Sequence, residues 1–198
     1  MGEATEPFVL VPPHQGRFDA YLNLINTESD RGVVLVSASI LDELLRQSLL
    51  ARFVDDGRVG ALMDGFNAPL GTFSSRVLAA FATGVIRREE FEEIGILRKV
   101  RNAFAHELTA SFEDQSIRDL CANLKLPRHE TTPRGRFTIS AIISAQSLVN
   151  RAFVVAGHRL EYGGFQPRVI DRSGVLIEGG ANSNPFARSS ANAGPDPA

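Results

Sequence analysis

Apolar residues recur at helical spacing through most of this chain. Phe18, Tyr21, Leu22, Leu24 and Ile25 predict a short first helix over residues 17–26, ending near Thr27. Ser29 and Asp30 offer capping oxygens for a long helix to about Phe53, with Val34, Ala38, Leu41, Leu45 and Leu49 on its buried face. The opening of that helix, residues 32–36, is rich in valine and resembles a strand. The pairs Asp42-Glu43 and Arg46-Gln47 that follow keep a period of 3.6, so the whole reads as one helix.

Asp55-Asp56-Gly57 then stops the pattern, residues 59–63 add a short turn, and residues 66–71 form a loop stiffened by Pro69. Thr72 or Gly71 caps a helix to about Thr83, with Gly84 as its stop. Residues 88–106 open with Glu89, Glu90, Glu92 and Glu93 and close with Arg98, Lys99 and Arg101, the polarity that a helix dipole favours. A shorter helix is expected over residues 113–123. Residues 125–136 hold two prolines and read as a loop before a last core helix over residues 137–159.

After Tyr162 the composition turns to Gly, Asn, Ser and Pro. The expected organisation is an amino-terminal extension over residues 1–16, a helical core over 17–162, a small hairpin within 163–178 built from residues 168–170 and 175–177, and a disordered tail over 179–198. The fold class is therefore all-α, a helical bundle with a flexible carboxyl-terminal extension.

Bulk properties narrow the function. A net charge of −2 gives no general attraction to polyanions, so nucleic acid would need a local basic cluster. The one cysteine, Cys121, lies in the apolar pattern Ile117, Leu120, Cys121, Leu124 and fits a reducing compartment. The first residues lack the basic start and apolar stretch of a signal peptide, and runs such as residues 33–36 and 153–156 are too short to cross a bilayer. A cytoplasmic protein without a membrane partner is expected. His14, His129 and His158 lack metal-ligand spacing, so no metal is expected, and neither a phosphate-binding glycine loop nor a nucleophile elbow suggests a cofactor or hydrolase site.

Three stretches together resemble the mannitol operon repressor family: Glu28-Ser-Asp-Arg-Gly32, Phe66-Asn-Ala-Pro-Leu-Gly-Thr-Phe-Ser-Ser-Arg76, and Ile96-Leu-Arg-Lys-Val-Arg-Asn-Ala-Phe-Ala-His106. Their order and spacing cover roughly residues 17–157. The resemblance implies an all-helical transcriptional regulator of sugar-alcohol utilisation genes without a helix-turn-helix. Such a regulator is expected to act as a homodimer and through a protein partner rather than by direct DNA binding. The third stretch also resembles the signature of the wider HEPN group, an Arg with a polar neighbour and a His farther along, so the core is expected to be HEPN-like.

That second resemblance implies an alternative, a metal-independent ribonuclease. Arg101, Asn102 and His106 would form its catalytic patch, two patches meeting across a dimer axis so that His106 takes the proton of a ribose 2′-hydroxyl and Arg101 stabilises charge on the phosphate. On a helix Asn102 and His106 share a face with Arg98, and Arg101 points to the side. The structural alternative makes Arg101 a helix-end cation paired with Asp30, Asp42 or Glu43, with Asn102 and His106 capping the helix. A non-enzymatic role is the expectation.

Two further groups carry both readings. Asp30 and Arg31, with Arg76 and Arg98, either complete a polar centre or serve as a cap and as ion pairs. The segment Asn67, Pro69, Gly71, Thr72 is either an anion or partner site beside Arg76 or a shaped connector. The connector reading is preferred.

Overall fold

The computed structural model describes residues 21–23, 25, 27–127 and 129–162, together with the backbone of Val169–Ile170 and Leu176–Ile177. Residues 21–23 are helical and lead towards α1, Asp30–Arg52. Then follow α2, Gly60–Met63; α3, Phe73–Ala82; α4, Arg88–His106; α5, Gln115–Ala122; α6, Pro133–Val149; and α7, Arg151–Ala156. The chain is all-α in its core, a helical bundle as its apolar spacing predicts. Residues 1–160 and 161–198 form two separate units. In the second, Val169 pairs with Ile177 and Ile170 with Leu176 in an antiparallel register. The expected extension over residues 1–16 and tail over 179–198 lie outside the described residues.

α1 is the central element and packs against α3, α4, α6 and α7. Ser29 caps it by accepting from the Gly32 N–H at 3.1 Å, so Asp30 becomes the first helical residue and places its charge at the positive end of the dipole. Val33, Val34, Leu41, Leu45 and Leu49 are fully buried on its inner face, which overrides the strand preference of the valine-rich opening. Facing them, α6 buries Ser140, Ala141, Ser144 and Ala145, small side chains that let the two helices approach closely. α4 adds Ile94, Leu97, Val100 and Phe104. Phe104, Phe112 and Phe137 form an aromatic run with centroid separations of 5.0 and 5.9 Å, tying α4 to α6 through the segment between α4 and α5.

The last core helix departs from expectation at both ends. It starts at Pro133 rather than near residue 137, because Pro133 occupies the first helical turn, where its missing N–H costs nothing, and Thr132 caps it by accepting from Gly135 N at 3.1 Å. It also ends at Val149. Asn150, with φ −103° and ψ 0°, separates it from α7, and the chain then turns back so that Leu160 N–H donates to Arg52 O at 2.7 Å. Residues 133–156 together have the length and hydropathy of a membrane span. In this fold Phe137, Ala141, Ala145 and Leu148 instead fill the core.

Arginines finish several helices from outside. The Arg136 guanidinium receives the carbonyls that end α5, bonding Cys121 O at 2.9 Å and Leu124 O, together with Pro127 O at 3.2 Å and Glu130 O at 3.0 Å. Arg52 donates to Thr83 O at the end of α3 at 3.2 Å, and Arg159 to Ala51 O near the end of α1 at 3.3 Å. Each answers the unsatisfied carbonyls and negative pole of a helix terminus.

Candidate functional site

α4 places its polar residues in two sets. Near its start, Glu90 accepts from the Arg87 N–H at 2.9 Å and from Arg151 at 2.6 Å, and Ser147 Oγ donates to it at 3.1 Å. Burial pushes this carboxyl up most strongly, yet the bonds from Arg151, Arg87 and Ser147 together hold it below its ordinary value of 4.5. Glu93, 3% exposed, accepts from Lys125 N at 3.0 Å, Leu126 N at 3.2 Å and Ser140 Oγ at 2.7 Å. It fastens the chain after α5 to α4 and α6 at once. Both glutamates follow the buried spacing of Leu97, Val100 and Phe104, the one signal that marks them as interior rather than solvated.

Beside this set, a cleft of about 470 Å³ runs along α4 and α6, lined by Glu89, Glu93, Leu126, Ile143 and Ser144 among others. Of its carboxylates, Glu90 and Glu93 are engaged in holding the fold.

The second set lies towards the end of α4. Arg98, Arg101 and Asn102 are half-buried, and Lys99 and His106 are exposed. Arg101 Nη1 donates to Asn102 Oδ1 at 3.2 Å. Among the described residues no carboxylate pairs with Arg98, Lys99, Arg101 or His106. The expected acid partners of Arg101 are bound elsewhere: Asp42 to Arg76 at 2.8 Å, Asp30 to Arg134 at 2.7 Å, and Glu43 beside Arg46 at 3.7 Å. The pairing of Arg101 with one of these acids is therefore corrected. Asp30 and Asp42 are committed to arginines from α6 and α3, and Glu43 to Arg46 one turn along α1.

Asp30, Arg31, Arg76 and Arg98 do not bond one another, so the structure does not join them into one polar centre. Arg31 reaches the end of α4, donating to Phe104 O, to Glu107 O at 2.7 Å and to Leu108 O at 2.8 Å. It thereby fixes the turn that carries His106. Arg76, 7% exposed, donates to Asp42 at 2.8 Å, Leu70 O at 2.8 Å and Met63 O at 3.0 Å, holding both sides of the α2–α3 loop against α1.

Within that loop Asn67 has φ 60° and Gly65 φ 118°, conformations that favour asparagine and glycine. Exposed Pro69 precedes Leu70, whose N–H donates to Leu62 O at 2.7 Å, and Gly71 N–H donates to Ala68 O at 2.9 Å. Thr72 caps α3 in a capping box with Ser75, accepting from its N–H at 3.1 Å. These are the contacts of a built connector.

Sequence reasoning missed Glu93, Arg136 and the Glu90–Arg151 pair. Other titratable groups are inert by burial: the Tyr21 hydroxyl is pushed up to about 12 and the Cys121 thiol up to about 11. Among the described residues no group of His, Cys, Asp and Glu is arranged to hold a metal. At the end of α4 the Arg101 guanidinium and the Asn102 amide are joined, with the His106 imidazole exposed one turn on from Asn102, groups able to receive an anion.

No family model matches the sequence, and no curated protein matches it. Among solved structures, the fold is similar to a chain of the MtlR–HPr complex from Escherichia coli, MtlR being the mannitol operon repressor. The likeness has a TM-score of 0.51 at 22% sequence identity and covers 72% of this chain and 99% of that one.

Proposed function

We propose that the protein is a cytoplasmic regulator of transcription of the mannitol operon repressor type, acting as a homodimer and through a protein partner. The observation that supports it is the fold likeness, which extends over 99% of a chain taken from the MtlR–HPr complex. A partner-mediated mode also suits a chain of net charge −2 in which, among the described residues, no helix presents a row of exposed cations suited to a DNA groove. The test is direct binding, by calorimetry, of the purified protein to HPr encoded by the same genome. Saturable binding with a defined stoichiometry is expected; no binding, together with tight operator binding that weakens steeply with salt, would replace this reading with that of a direct DNA-binding repressor.

A second reading is carried by the missing acid partners of Arg101 and His106. Among the described residues neither side chain is engaged by a carboxylate, which leaves both available to a ligand. The reading makes the protein a HEPN-type endoribonuclease in which paired patches cleave RNA without metal. It requires that single-stranded RNA be cut in the presence of a chelator, and that Arg101→Ala and His106→Ala each abolish cutting while the melting temperature holds. RNA left intact by the unaltered protein removes it.

A further inference from the structure

The α2–α3 loop is unusually well built for a connector that buries so little. Residues 64–71 are fastened at both ends: Arg46 Nε donates to Asp64 Oδ1 at 3.1 Å with a second bond from Nη2 to Oδ2, and Arg76 holds Met63 O and Leu70 O. Internal bonds from Ala68 N to Gly65 O at 3.3 Å and from Gly71 N to Ala68 O close it on itself. Gly65 and Asn67, both at positive φ, flank a single large apolar residue, Phe66. Phe66 is 98% exposed.

A phenyl ring kept in water gains nothing for the fold. Chain disorder is not the reason for its exposure, because the loop is held on both sides. A rigid, fully exposed aromatic is the side chain that gains most on insertion into a partner, since little conformational entropy remains to be lost. The charges around it add direction. The carboxylates are outermost, Asp64 at 56% and Glu43 at 51% side-chain exposure, whereas Arg46, which pairs with both, lies beneath them at 26%. The surface surrounding Phe66 is thus acidic to an approaching molecule.

We propose that the loop over residues 64–71 is the element that engages the protein partner, inserting Phe66 into an apolar pocket rimmed by lysine or arginine. This rests on the partner-binding reading above and gives it a location. The occupant is a folded protein, because an acidic rim repels anionic lipid headgroups and nucleic acid alike. The other exposed aromatics among the described residues, Phe81, Phe153 and Tyr162, stand less far out, at 36%, 66% and 67% exposure.

The test measures HPr affinity for the unaltered chain and for Phe66→Ala, Glu43→Lys and Leu108→Ala. Phe66→Ala is expected to weaken binding by roughly thirtyfold with no change in melting temperature, as befits a central aromatic anchor. Glu43→Lys should weaken it several-fold at low salt and less at high salt, whereas Leu108→Ala, altering a side chain that is 95% exposed beyond α4, should bind as the unaltered chain does. Binding by the unaltered chain and undiminished binding by Phe66→Ala overturns the loop assignment and leaves the partner reading standing. Failure of the unaltered chain to bind overturns both. Sedimentation of the unaltered chain with phosphatidylcholine–phosphatidylglycerol vesicles, or a dimer that Phe66→Ala converts to monomer, would assign Phe66 to lipid or to a second copy and overturn the proposal.

Discussion

The two ends of α4 use polar side chains in opposite ways. At its start, Glu90 and Glu93 are drawn inside and given Arg151, Ser147, Ser140 and the N–H groups of Lys125 and Leu126 as partners. At its end, Arg98, Lys99, Arg101 and His106 have no carboxylate among the described residues, and the terminus is held instead through its backbone by Arg31. The difference separates what keeps the bundle together from what remains available to a ligand. A helix can be anchored at one pole and clamped from behind at the other, leaving the front of that second pole uncommitted.

The largest effect should come from the anchored pole. Glu93→Ala leaves the Lys125 and Leu126 N–H groups and the Ser140 hydroxyl without their acceptor in a site that is 3% exposed for Glu93 itself. A loss of about 3 kcal/mol is expected, at the upper end of the cost of unsatisfied buried donors. Urea unfolding monitored by circular dichroism measures it. A loss below about 1 kcal/mol would show that water reaches this site and that the anchor is not one.

The Glu90–Arg151 pair comes next and carries the pH dependence. Its folded carboxyl lies below the ordinary 4.5, so its contribution is fully present above that value and is lost as pH falls through the folded value. With side chains 14% and 19% exposed, solvent screens the pair little, and about 1–2 kcal/mol is at stake. Stability curves for the unaltered chain and Glu90→Gln should therefore differ at pH 7 and converge as pH falls below 4.5 and through the folded value. Parallel curves down to strong acid would remove Glu90 from the acid response.

These contacts also show what the sequence could and could not convey. The helices were legible because each carries local marks: Ser29 before α1, the acidic opening and basic close of α4, Gly84 with φ 71° after α3. The start of α6 was not, because Pro133 breaks a helix or begins one depending on its position, and only the Thr132 bond to Gly135 N decides. The break at Asn150 carried no strong local mark either. At the candidate site, the acids expected to pair with Arg101 are bound elsewhere. A long arginine on α1 or α6 can reach carbonyls distant in sequence, as Arg31 does at Phe104 and Arg136 at Cys121, and local spacing holds no trace of that reach.

Arg31→Ala tests the clamp at the second pole. Half-exposed carbonyls regain water, so the global loss should be modest, about 1 kcal/mol. The distinctive expectation is local: amide hydrogen exchange should accelerate at the last turn of α4, at Phe104 and Glu107, while Leu97 and Val100 keep their protection. Uniform acceleration along α4 would make Arg31 a general stabiliser.

The smallest stability effect belongs to the residues with the most suggestive pattern. Among the described residues the Arg101 side chain bonds its neighbour Asn102, and His106 is exposed. Arg101→Ala and His106→Ala should each change stability by no more than about 0.5 kcal/mol, the range of surface positions without a special role. Such neutrality is what makes the two variants informative: any loss of RNA cleavage, or of a partner's affinity, could then be assigned to the lost side chain and not to a loosened bundle. If either variant instead costs about 2 kcal/mol, the second pole is structural after all, and the contrast between the two ends of α4 collapses into a difference in how each is fastened.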